Sequence, residues 1–169
     1  MADRRVESSR IGLVKCRALD RRWRVLYLGT MAIGKTKARE VAMQILFLWD
    51  AQGENDRVLA EQVAAEGASE GLVRTRAVEM ASSAWEQRKT ADDWVERLAP
   101  QWPPRRQPGV DRNILRLAIW ELTAGQTPPK VVLDEAIELA KQFSTSQSAS
   151  FINGVLDAVM KEHQALIRP

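Results

Sequence analysis

At 169 residues, 45% apolar and 28% charged, the chain can bury a core as one domain or as two joined helical halves, and it is too apolar for a disordered protein. Its net charge of +3 hides a gradient: residues 1–40 hold 11 Lys/Arg against 4 Asp/Glu, and the remainder 14 against 18, so a field that attracts phosphates is confined to the N-terminal end. A single cysteine, Cys16, excludes an internal disulfide or an all-cysteine metal site and fits a reducing, cytoplasmic setting, and no apolar run nears the roughly 18 residues of a membrane helix.

Residues 1–33 show no steady period and hold 8 of the 25 Lys/Arg, from Arg4 and Arg5 to Arg24. Their longest apolar stretch, Val25 to Gly29, is too short for a secretory signal, and Asp3, Glu7 and Asp20 argue against a transit peptide. Two readings compete for this irregular basic extension. It is either a disordered arm that touches nucleic acid, or an artefact of start assignment with translation beginning at Met31, where periodicity soon switches on.

From Thr36 the pattern is helical, with Ala38, Val41, Ala42, Ile45, Leu46 and Trp49 on one stripe. Gly53 and Asn55 end that helix. A second is predicted over 56–66, a third over 72–89 with Val73, Ala77, Met80 and Trp85 inward, and a shorter one over 91–98. Pro100, Pro103, Pro104, Pro108 and Gly109 form the clearest break, so the halves of a domain spanning 34–165 are expected to join near 99–109. Beyond it Asp111 is expected to cap a helix carrying Ile114, Leu115, Ala118 and Leu122, which Gly125 closes. Pro128 and Pro129 open the next helix, which buries Val132, Ala136, Leu139 and Phe143. A Ser/Thr-rich loop, 144–148, leads to a last helix with Phe151, Ile152, Val155 and Val159 inward. Glycine at 154, mid-helix, costs about 1 kcal/mol against alanine, and close approach of a neighbouring helix is the expected reason. No segment alternates with period two, so the expected fold is all-α, with about seven helices.

Catalytic machinery is hard to find. His163 is the only histidine, and with no second histidine or nearby cysteine it founds neither a metal site nor a nucleophile–base pair. Asp134, Glu135 and Glu138 read as a solvated helix face. Gly34-Lys35-Thr36 has the ending of a phosphate-binding loop without its upstream strand or first glycine. Neither an enzyme nor a cofactor is expected.

Three segments then carry a resemblance. They are VDRNILRLAIWEL at 110–122, PKVVLDEAIELAKQF at 129–143 and FINGVLD at 151–157, with Lys37-Ala38-Arg39-Glu40 through Gln44, Leu46, Phe47 and Trp49 upstream. Together they resemble the NusB family of bacterial transcription antitermination factors. The likeness runs over about 35–160, strong after Val110 and loose between Gly53 and Pro108, and residues 1–30 match nothing in it.

The resemblance implies two three-helix bundles that bind boxA RNA of ribosomal operons jointly with the ribosomal protein NusE and then join the elongating RNA polymerase. It places Lys35, Lys37 and Arg39 at RNA phosphates, and Phe47 and Phe151 under unpaired bases, where a stacked ring is worth about 1–3 kcal/mol. Core packing is the competing use of both rings. Gln147 and Ser148 would reach base edges or phosphates, and Asp111, Arg116 and Trp120 the protein partner. Departures stand out: Ser150, Ala149 and Gln147 replace a lysine, a histidine and an acid common before the Phe-Ile-Asn-Gly run, and Thr36 interrupts the basic cluster. RNA affinity weaker than that of the family's strong binders is therefore expected. Two alternatives remain: the RNA-binding domain of a ribosomal RNA cytosine methyltransferase, which needs a catalytic domain downstream, and a self-associating helical adaptor, a homodimer hiding the RNA face.

Overall fold

A computed structural model describes the backbone of residues 21–167 and the side chains of residues 34–166. Its α-helices are α1 (Arg21–Gln52), α2 (Arg57–Gly67), α3 (Gly71–Glu86), α4 (Arg88–Leu98), α5 (Gly109–Ala124), α6 (Pro129–Phe143) and α7 (Ser148–Ile167), with one 3₁₀ turn at Pro104–Arg106. No strand occurs among the described residues. Residues 33–169 form one compact unit. The readings of residues 1–20, and of every side chain up to Ile33, fall outside the described residues. Helix α1 itself begins at Arg21, well before the Thr36 onset that periodicity suggests.

Helix α5 is the axis of this unit. It packs on α3, α4, α6 and α7 and buries Ile114, Leu115, Leu117, Ala118, Ile119 and Leu122 together with the polar Asp111, Asn113, Arg116 and Glu121. A helix buried on every side needs internal partners for its polar groups, and those partners organise the candidate site. Helices α6 and α7 close one side of α5, and α2 pairs with α3 on the other. The two tryptophans Trp49 and Trp85 meet edge-on at 5.8 Å between α1 and α3.

Local chemistry sets the helix ends. The Asp56 carboxylate accepts from the backbone N–H of Val58 at 2.8 Å and of Leu59 at 3.2 Å, a cap worth about 1 kcal/mol. Gly125 stops α5 in the left-handed region at φ 67°. The third predicted helix divides earlier than expected, since Gln87 separates α3 from α4. Two expectations are overturned. Asp111 is not a cap: α5 starts at Gly109 behind Pro108, and the Asp111 carboxylate turns inward. Gly154 meets no neighbouring helix, for a Cβ there would have nothing within 4 Å.

Candidate nucleic-acid interface

On α1, Lys37, Glu40, Gln44 and Phe47 recur at three- and four-residue spacing and form its open stripe, while Ala38, Val41, Ala42, Ile45 and Leu46 are buried. The stripe carries a cation at one end and a ring at the other. Lys37 donates to Glu40 at 2.7 Å, while Lys35 is exposed on another face of α1, one turn before Arg39. Phe47 is 40% exposed, which removes the core reading of that ring. Its edge lies over Gly109, where a Cβ would sit 3.0 Å from Cε2. From Lys35 to Phe47 the helix rises about 18 Å.

Arg39 points the other way. It is buried, and its guanidinium donates to both oxygens of Glu121, from Nε at 2.8 Å and Nη2 at 2.9 Å, with Glu135 of α6 at 3.6 Å. Burial alone lowers its pKa, but the bond and charge of Glu121, aided by Glu135, hold it above the ordinary value. Thr127 donates to Glu121 at 3.1 Å and Thr36 to Glu135 at 2.8 Å. Arg39 thus ties α1 to α5 and α6 rather than offering its charge to solvent. Glu135, expected on a solvated face, belongs to the same lock.

At the α6–α7 corner, Gln147 is exposed and Phe151 is partly buried against the core. Ser148 is buried, its hydroxyl donating to Asp111 at 2.8 Å, while Ser144 donates to the other Asp111 oxygen. Asp111 therefore holds the start of α7 on the first turn of α5. Because Phe47 covers Gly109 of that same turn, Phe47 and the Gln147–Phe151 segment flank one corner of the molecule. Lys37 lies at the far end of the α1 stripe, and Lys35 lies near the same level on the face of Arg39.

Arg116 is likewise internal. Its Nη1 donates to Asp50 at 2.7 Å, and Nε and Nη2 donate to the two oxygens of Asp92 at 2.8 and 2.7 Å. Arg112 and Asn113 also donate to Asp50. Burial pushes the Asp50 carboxyl up, yet its bonds to Arg116 and Arg112 hold it below the usual carboxylate range. Arg116 is pulled down by burial and lifted above its usual value by Asp92 and Asp50. This knot joins α1, α4 and α5. Trp120 is partly buried and faces a hollow beside Lys35.

Sequence reasoning passed over Trp102, 41% exposed in the proline-rich break with Arg106 stacked 5.4 Å from its ring centre, and Arg76, which shares the hollow with Lys35. A large aromatic beside prolines in a loop was a usable signal for the first, whereas nothing in sequence marks the second. Gly34, Lys35 and Thr36 lie inside α1, so no phosphate-cradling loop forms there. Among the described residues no cluster of three or more His, Cys, Asp or Glu side chains is placed to hold a metal, and no helix is long and apolar enough to cross a membrane.

Known proteins are similar to this chain in sequence and fold. The NusB family model matches residues 36–161. A transcription antitermination protein NusB from Solibacter usitatus is 41% identical over 130 residues, covering 76% of this chain and 89% of that protein. Its counterpart from Roseiflexus sp. is 37% identical over 143 residues, covering 79% and 96%. Among solved structures, NusB from T. maritima superposes with a TM-score of 0.66 at 32% identity, covering 76% of this chain and 91% of the other. A crystal structure of the antitermination factors NusB and NusE in complex with double-stranded RNA matches with a TM-score of 0.69 at 27% identity, covering 76% and 97%. The matched span takes in α2 to α6, about half of α1 and most of α7, with the Arg39–Glu121 lock and the Asp50–Arg116 knot inside it, and on these grounds the chain belongs to the NusB family of non-enzymatic transcription antitermination proteins.

Proposed function

We propose that this protein binds a single-stranded boxA segment of nascent ribosomal-operon RNA along the open stripe of α1 and the corner where α7 begins, together with the ribosomal protein NusE, and that the assembly acts on elongating RNA polymerase in the cytoplasm. The observation that carries the reading is the placement of Lys35, Lys37 and Phe47 on the surface of one helix, with Gln147 and Phe151 at its far end. The cations neutralise phosphates, each steepening the salt dependence by roughly 0.7 in log–log slope, and the rings give unpaired bases a stacking surface. Arg39 and Ser148 serve this face by holding it in place: Arg39 fixes the tilt of α1, and Ser148 fixes the start of α7.

Asp111 and Arg116 are buried, so their effect on NusE runs through the shape of the α5 surface rather than through direct contact. With Arg39 internal, the cations that this face opens to RNA are few among the described residues. The affinity of the protein alone is therefore modest, and NusE raises it. A gel shift with boxA and scrambled RNA, with and without NusE, tests the proposal. Preferential binding of boxA that tightens with NusE is expected. Tight binding by the protein alone at moderate salt contradicts the modest affinity, and equal binding of both RNAs contradicts the function.

A further inference from the structure

A hollow of about 120 Å³ opens between α1, α3 and the α5–α6 turn. Gly34 of α1 approaches α3 closely, its Cβ position lying 3.5 Å from Val73 Cγ2, and this brings Lys35 and Arg76 to the same rim. Both side chains are exposed, and neither has an acidic partner among the described residues. The indole of Trp120 and the amide of Gln126 border the same space. Its floor is the Arg39–Glu121 pair, whose charges cancel, with Glu121 further occupied by Thr127. The hollow therefore carries an uncompensated charge of two cations, drawn from helices far apart in sequence, beside the neutral residues Trp120 and Gln126. A guanidinium and an ammonium converging where the one lining carboxylate, Glu121, is already held by Arg39 and Thr127 suit a tetrahedral oxyanion better than a base, a metal or an acidic peptide side chain.

We propose that this hollow is a phosphate-binding subsite that takes a backbone phosphate of the bound RNA, carrying the strand from the α1 stripe past Lys35 and onto α3. The inference rests on the RNA-binding reading above and extends it to Arg76, a residue off the α1 stripe. A backbone phosphate and free phosphate share this chemistry, and the two arms of the experiment separate them.

In the first arm, fluorescence anisotropy with boxA RNA over a range of salt compares the protein with Arg76→Ala and with Arg57→Ala, a control that removes an 83% exposed cation of α2. Arg76→Ala is expected to weaken binding about three- to tenfold at low salt and to reduce the salt slope by about 0.7, with the melting temperature unchanged and Arg57→Ala behaving as the parent. In the second arm, inorganic phosphate is titrated while the Trp120 indole N–H is followed by NMR, its signal assigned with Trp120→Phe. A shift in the parent that is lost in Arg76→Ala is expected. If the parent binds RNA and Arg76→Ala matches it in affinity and slope, the inference is overturned and the RNA-binding reading stands. If the parent binds no RNA, that reading fails. A phosphate shift surviving there assigns the hollow to free phosphate and overturns the RNA source, and no shift overturns the subsite altogether.

Discussion

Two basic regions of this molecule look alike as text and differ in what they do. Lys35 and Lys37 stand on the surface midway along α1, whereas Arg112 and Arg116 of α5 are tied to Asp50 and Asp92. The first pair costs little to hold in water and keeps charge available to a polyanion. The second is removed from water and tolerable only because carboxylates meet it. A cation's job is thus set by the acids that the fold brings to it. Arg39 shows the point most sharply, since it lies two residues from Lys37 yet belongs with the internal set.

Substitution should separate the regions. The largest effect is expected for Arg116→Ala, which strands Asp50 and Asp92 and should cost about 3–5 kcal/mol in chemical denaturation, while any folded fraction keeps its RNA affinity. The double variant Lys35→Ala/Lys37→Ala should do the converse: stability within about 0.5 kcal/mol of the parent, and an RNA salt slope lower by about 1.4. Phe47→Ala should weaken RNA binding by about 1–3 kcal/mol if a base stacks on it, read by anisotropy at fixed salt. A smaller effect concerns acid. The Asp50 carboxyl is held below its unfolded value, so its contribution is present above that value and is lost as pH falls through the folded one. Asp50→Asn should therefore flatten the decline in stability below the ordinary aspartate range, measured by urea titration at successive pH values. The smallest expected change is a gain of up to about 1 kcal/mol for Gly154→Ala, because no neighbour opposes the added methyl. A loss of RNA or NusE binding in that variant would mark a close approach by the ligand itself.

Much of the fold was legible because periodicity reports burial. Every helix from Gly53 onward was readable, and Gly125 and the proline pair at 128–129 marked their ends correctly. What failed was less local. The sequence at the start of α1 shows no steady apolar period to read, and the inward turn of Asp111 depends on Ser144 and Ser148, more than thirty residues away. The candidate site divided along the same line. The type and rough position of its residues followed from the motif resemblance, but exposure at the level of single side chains did not. Arg39 and Lys37 differ by which helix face they occupy and by the presence of Glu121, 82 residues later in the chain. Arg76 stayed invisible for the same reason, since its significance comes only from the packing of α1 beside α3.

The most direct test of the account is an NMR map of amide shifts as boxA RNA is added to the ¹⁵N-labelled protein. The account predicts changes clustered at Lys35, Lys37, Gln44, Phe47, Gln147 and Phe151, with the amides of Arg112 and Arg116 nearly still. Changes centred instead on Val58 of α2 or Leu166 near the end of α7, with the α1 stripe silent, would contradict it.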